Sequence, residues 1–333
     1  MSTFELVLLI ICIALVFDFV NGFHDSANSV ATVVATRVLT PVKAVWMAAT
    51  FNFLAAFLLG TGVAATIGKG FVNTEVVTLN VLAAALIGAV LWNILTWYAG
   101  IPISSSHSLI GGYAGAAVAK AGVHGLILGK WPSTLAFIVL APLIGLVLGF
   151  SLMILIYWVF RRRTPAQMDR YFRHAQIGSA ALLSCAHGTN DAQKTMGIIT
   201  AVLVAGGFQD TFQVPDWVIL ASATAMGLGT LSGGWRVVRT LGTRLTRLKP
   251  RSGFCAETGS AIAILLATWL GLPVSTTHAV TGAVAGVGSI QRVRAVRWNV
   301  AGNIVVAWVV TIPAAACVSG VIFYLIKAFA KLV

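Results

Sequence analysis

The chain has 333 residues, of which 58% are hydrophobic and only 9% charged. A soluble domain carries ~25% charged residues, so this composition excludes that class and indicates a polytopic helical membrane protein. The net charge of +13 does not imply nucleic acid, because the basic residues sit between hydrophobic runs, where cytoplasmic loops collect Lys and Arg.

Apolar runs long enough to cross a bilayer are read at 4–36, 41–66, 78–99, 104–121, 134–160, 175–207, 216–235, 253–271, 274–291 and 298–327, the shortest of them open to a re-entrant reading. They are continuous, unlike the short alternating segments of a membrane barrel. Met1-Ser2-Thr3 lacks the basic start of a signal peptide, so the first run is read as a spanning helix. Cys12, Cys185, Cys255 and Cys317 lie in or beside these runs without metal-ligand spacing, and read as small buried apolar residues. With the N-terminus outside, the loops 37–43, 100–103, 161–174, 236–251 and 292–297 hold sixteen Lys or Arg. The opposite side holds five: Lys69, Lys120, Lys130, Lys327 and Lys331. The bias predicts a multi-pass protein of the cell membrane with both termini outside.

Two spans carry residues foreign to a lipid-crossing helix. Asn21-Gly22-Phe23-His24-Asp25-Ser26-Ala27-Asn28 interrupts the first run, and His187-Gly188-Thr189-Asn190-Asp191-Ala192-Gln193-Lys194 interrupts the sixth. Each ionisable group at such depth costs at least ~2.5–3.5 kcal/mol on insertion scales. A second pair is sharper. Pro102-Ile103-Ser104-Ser105-Ser106-His107 with Gly111 and Gly115 matches Pro273-Val274-Ser275-Thr276-Thr277-His278 with Gly282 and Gly286. Each half has an odd number of proposed crossings, so the halves enter the membrane from opposite sides. The expected fold is all-α and polytopic, with two inverted-topology repeats and broken helices at the midplane. Repeat 1 is 1–160, a basic cytoplasmic connector 161–174, and repeat 2 is 175–333.

Asp25, Asn28, Ser29 and Thr32 follow helical spacing and share one face. A half-helix starting below Gly22 would present unpaired N–H groups with partial positive charge, able to hold an anion. Asp25 would repel that anion unless a cation or proton accompanied it, so coupling to a cation follows. Asn190, Asp191, Lys194 and Thr195 offer the same geometry in the second half. The clusters Ser104, Ser105, Ser106 and Ser275, Thr276, Thr277 either cap helices or converge as neutral donors around an oxyanion. His107 and His278 read as satisfied buried histidines, and the paired glycines as faces for close helix packing. Glu257, a third membrane carboxylate, either ligates a cation or pairs with Arg251. Asp18, one turn before the first motif, is a weaker fourth. The plain alternative for the hydroxyls is hydrogen bonding between neighbouring helices.

At these residues the chain resembles the inorganic phosphate transporter (PiT) family, which symports phosphate with sodium or protons. The Asp-centred motifs, both Pro-x-Ser-(Ser/Thr)-(Ser/Thr)-His strings and Gly253-Phe254-Cys255-Ala256-Glu257 carry the resemblance across both halves. It implies a homodimeric secondary transporter in the lipid bilayer, with no cofactor and the substrate held between the repeats. Phosphate is then expected at Asn28, Ser104, Ser105, Ser106, Asn190, Lys194, Ser275, Thr276 and Thr277. The coupling cation is expected at Asp25, Asp191 and Glu257, with sodium, where used, at Asp25 and Asp191. One departure bears on the ion. Lys194 stands where sodium-coupled members usually carry Asn, so it is read as pairing with an aspartate in place of sodium, leaving H+ favoured over Na+. Sulfate is the rival substrate, but it carries no proton at neutral pH to offer the carboxylates. An intramembrane hydrolase is remote, since a Ser-His-Asp arrangement gains nothing from a duplicated, inverted copy. A channel would need a continuous polar pore.

Overall fold

The computed structural model describes residues 2–58, 60–291 and 296–329. The described chain is helical, and its only extended pairing is an isolated bridge between Val72 and Leu126. Helix α1 (Thr3–Ala35) opens with a capping box, Ser2 and Glu5 each satisfying the other's backbone N–H. There follow α2 (Pro41–Ala55), α3 (Gly62–Lys69), α4 (Leu79–Ala99), α5 (Ser105–Ala121) and α6 (Trp131–Val159). Helix α7 (Pro165–Ala205) opens the second half behind a second capping box, Thr164 with Gln167. After it come α8 (Asp216–Ser232), α9 (Trp235–Arg239), α10 (Pro250–Trp269), α11 (Thr276–Gln291) and α12 (Trp298–Phe329).

The predicted breaks at Gly22 and Gly188 are absent: α1 and α7 run unbroken through both motifs. The two glycines have another reason. A Cβ at Gly22 would collide with the Met226 carbonyl oxygen of α8, and one at Gly188 with the Asn52 carbonyl oxygen of α2. They let backbones approach where a side chain would hold them apart. The interruptions fall elsewhere. The run 41–66 divides into α2 and α3, and α8 bends by 60° into the segment Trp235–Arg244. Helices α5 and α11 start inside the protein, after the extended segments 101–104 and 272–275. At 17 and 16 residues they reach about 25 Å, short of the ~30 Å hydrocarbon core.

Helices α1, α4, α6 and α12 are each long and apolar enough to cross a membrane, and the bent pair passes the same test when its two parts are taken together. Leu135, Val139, Leu143 and Val147 of α6 and Val305, Val306 and Val309 of α12 are exposed, an outward face suited to lipid. Packing pairs the halves. Helix α5 lies on α12 with Gly111 and Gly115 against Ile312 and Ala316, while α11 lies on α6 with Gly282 and Gly286 against Pro142 and Leu146. Helix α1 packs on α8, and α7 on α2 and α3. The basic loops are tied together at one end of the bundle. Arg173 donates to the Arg37 carbonyl (2.8 Å), Thr240 to that of Gly100 (3.0 Å), and the Arg297 N–H to that of Leu245 (3.0 Å). Arg251 pairs with Asp169 at 2.8 Å, so it is not the partner of Glu257. Residues 292–295 and Lys331, counted above in the charge bias, lie outside the described residues.

Candidate functional site

Four elements converge: the middles of α1 and α7 and the first turns of α5 and α11. Ser104 and Ser275 are N-caps, their hydroxyls accepting from the N–H groups of His107 (3.3 Å) and His278 (3.2 Å). Each cap satisfies one of the four orphan donors at a helix start, and the others keep their partial positive charge. The two starts meet, with Ser106 Oγ donating to the Val274 carbonyl at 3.3 Å. The anion-suited helix ends expected at Gly22 and Gly188 are therefore supplied by α5 and α11.

The long helices reach these starts crosswise. Asn28 of α1 donates its amide to Thr276 Oγ1 (3.2 Å) and Thr277 Oγ1 (2.9 Å) of α11. Lys194 of α7 donates to Ser106 Oγ of α5, to the Val274 carbonyl (3.3 Å), and forms an ion pair with Asp191 one turn back. Thr276 Oγ1 also lies 3.5 Å from Asp191 Oδ2, as a donor. Asp25 accepts from His24 Nδ1 at 2.9 Å. His187 Nε2 is 3.3 Å from Asp191 Oδ2, and one oxygen or nitrogen each of Asp25, His187 and Asp191 lie within 4.8 Å of one another. None of the expected site side chains is more than 3% exposed. The cluster is enclosed, and the carboxylates of the two halves share it.

Three expected residues stand apart or unused. Asn190 commits its amide to Thr268 Oγ1 (2.8 Å) and the Leu272 carbonyl (3.3 Å), holding the turn that leads into α11. Ser105 Oγ is buried without a hydrogen-bond partner. Glu257 forms its own cage two turns along α1 from Asp25, accepting from Thr32 (2.5 Å), Gln176 (2.8 Å) and Ser179 (2.5 Å). His24, His187, Gln176 and Ser179 were not singled out from the sequence. His187 sits four residues before Asp191, and Gln176 three before Ser179, spacings that place each pair on one helix face.

An enclosed cluster of carboxylates, an ammonium and hydroxyls, built at the meeting of buried helix starts in a polytopic helical bundle, defines a membrane transporter. Comparison with known proteins narrows this. The sequence model of the phosphate transporter family matches residues 21–319. A protein of Rhizobium meliloti (strain 1021) described as "probable low-affinity inorganic phosphate transporter" is 52% identical over 96% of both chains. A Bacillus subtilis (strain 168) protein of the same description is 43% identical, over 96% of this chain and 97% of its own. Among solved structures, one described as "The sodium-dependent phosphate transporter" superposes with a TM-score of 0.89 at 25% identity, covering 97% of this chain and 99% of that one. The chain belongs to the phosphate transporter family. Its relatives are transporters, which leaves the hydrolase reading without support.

Proposed function

We propose that the protein imports inorganic phosphate by symport with a cation, protons favoured over sodium. The observation that carries the reading is Lys194, fully buried and ion-paired to Asp191 within reach of Ser106. Unit charges ~4 Å apart interact by about 4 kcal/mol at an effective dielectric near 20, so an anion beside two carboxylates needs compensating charge. Lys194, as the ion-pair partner of Asp191, supplies one positive charge from within the protein, and a proton supplies the rest. Ser104, Ser105, Ser106, Ser275, Thr276, Thr277 and Asn28 offer neutral donors, which bind an oxyanion without trapping it. In this reading Asn190 acts by holding the turn before α11, and Asp25, Asp191 and Glu257 serve the coupling ion.

The reading extends to architecture. Segments 1–160 and 175–333 are taken as inverted-topology repeats joined by 161–174, supported by the matched packing of α5 on α12 and α11 on α6. The gathering of basic loops at one end supports a cytoplasmic face there, with both termini on the other side of the cell membrane. A homodimer is the assembly the family resemblance implies.

The test is radiolabelled phosphate uptake into proteoliposomes, with and without sodium at two pH values, and with sulfate as competitor. Uptake driven by a pH gradient without sodium, and poorly inhibited by sulfate, is the expected result. Sodium coupling is the second reading, favoured by the ligand atoms of Asp25, His187 and Asp191 within 4.8 Å and by the sodium dependence of the solved relative. Uptake that requires sodium and ignores pH would establish it.

A further inference from the structure

Asp18 is a buried carboxylate that neither motif explains. It lies on α1 two turns before Asp25, and therefore on the same face. Its side chain is fully buried, and neither oxygen has a hydrogen-bond partner. Its polar neighbours are Asn21 and Thr195, with Asp191 and Lys194 in electrostatic reach. Asn21 Oδ1 and Thr195 Oγ1 are themselves unpartnered. Other ionisable groups from the packed elements are few. Helix α7 adds His187 on Asp191, and α5 brings His107, which faces Lys194, and Tyr113. Those of α2, α4 and α8 (Lys43, Tyr98 and Asp216) sit at the helix ends, α9 carries Arg236 and Arg239 beside the basic loops, α10 carries Glu257 on Thr32, and α11 carries His278.

An ionised carboxylate buried with no hydrogen bond formed costs several kcal/mol, whereas a neutral carboxyl needs one acceptor. Both Asn21 Oδ1 and Thr195 Oγ1 can be that acceptor. A sodium ion fits poorly, because the four unpartnered oxygens lie beside an ammonium that repels a second cation. The comparison of halves sharpens the point. By the spacing that sets Asp25 against Asp191, the match of Asp18 is Ser184, whose hydroxyl donates to the Ala180 carbonyl at 2.8 Å. The match of Lys194 is Asn28. The first half thus has an extra acid and the second an extra base, within reach of each other.

We propose that Asp18 binds the transported proton and that Lys194 controls it. While Lys194 pairs with Asp191, Asp18 holds the proton as a neutral carboxyl. When the ammonium turns toward Asp18 it stabilises the carboxylate, the O–H bond breaks, and the proton passes to water on the open side. The inference rests on the proton-symport reading.

The test uses the full chain in proteoliposomes without sodium. Asp18→Asn is expected to lose phosphate accumulation driven by a pH gradient, and to lose the pH dependence of uptake, while labelled and unlabelled phosphate still exchange across the membrane. Infrared spectra should show a protonated-carboxyl band in the wild type that is missing in Asp18→Asn. Asp18→Glu is expected to keep accumulation with a displaced pH profile. Accumulation by Asp18→Asn with the wild-type pH profile would overturn the assignment and leave proton symport standing. If the wild type itself accumulates phosphate only with sodium, the symport reading fails first and takes this inference with it. Should Asp18→Asn fail to fold, a wild-type carboxyl band that Asp18→Glu leaves unmoved would also overturn it.

Discussion

Asn28 and Lys194 match by motif spacing, and each reaches the hydroxyls of the opposite half's short helix: Asn28 those of α11, Lys194 that of α5. The reach is the same and the charge is not. Asn28 joins two helices with a neutral amide, whereas Lys194 also brings a cation onto Asp191. The two contacts are therefore alike in reach and unlike in charge, and on the proposed reading the coupling ion depends on the charge. A neutral amide leaves its carboxylate to be balanced from solution. A lysine balances it from within.

The largest effects come from removing what the halves share. Asp25→Asn or Asp191→Asn is expected to abolish coupled uptake in proteoliposomes while the protein still elutes in its wild-type assembly, Asp191→Asn with a lowered melting temperature because it strands the Lys194 ammonium; normal transport by either would remove the central assignment. Next is the exchange that makes the halves alike, Lys194→Asn. Taking one partner from a buried ion pair costs ~3–5 kcal/mol, because the other charge is stranded. The variant should unfold at lower temperature in detergent and regain stability when sodium is added, and its uptake should come to depend on sodium. Equal stability with and without sodium would count against the idea that Lys194 replaces an ion.

A second contrast lies along the same helices. By the motif spacings, the residues matching Glu257, Thr32 and Gln176 are Leu86, Ile198 and Ile10, all buried in one apolar cluster. The first set is an acid caged by hydroxyls and an amide, on the side of Thr36 and the basic loops, where Thr36 donates to Gln176 Oε1 at 2.9 Å. The second is a hydrocarbon plug. A caged carboxylate is built beside the basic loops, and its counterpart at matching depth on the other side is apolar. Glu257→Gln keeps the shape of the cage and removes its charge. It is expected to weaken the apparent affinity for the coupling ion by ~1.5–3 kcal/mol, the worth of a hydrogen bond to a charged group. Uptake titrated against that ion measures it, and an unchanged titration would make the cage purely structural.

Which residues lie together was more legible in the sequence than how they are held. Duplicated strings marked both helix starts, and acids inside apolar runs marked both long helices, because each is costly without a purpose. The meaning of Gly22 and Gly188 was not legible. A glycine in a helix reads equally as a break or as a close approach, and only the positions of Met226 and Asn52 decide between them. Glu257 was visible, but its partners come from α1 and α7, distant in sequence, so Arg251 stood as the nearer candidate until Asp169 claimed it. The alternation of basic loops was legible because it depends on composition alone.

The smallest expected effect separates capping from binding at the short helices. The cap hydroxyls are Ser104 and Ser275, while Ser105, one residue on, has a buried hydroxyl with no partner. Ser105→Ala therefore strands nothing in the protein. It should leave the melting temperature unchanged and raise the apparent KM for phosphate by ~1–3 kcal/mol worth of affinity, the cost of one lost neutral donor. Thr276 differs, since its hydroxyl accepts from Asn28 and faces Asp191. Thr276→Ala should lower both stability and affinity. If both hydroxyls touch one bound phosphate, the double variant's loss in affinity will depart from the sum of the single losses, as coupled neighbours do. An unchanged KM in Ser105→Ala would show that the anion is held without that hydroxyl, by the helix starts, Lys194 and the remaining hydroxyls.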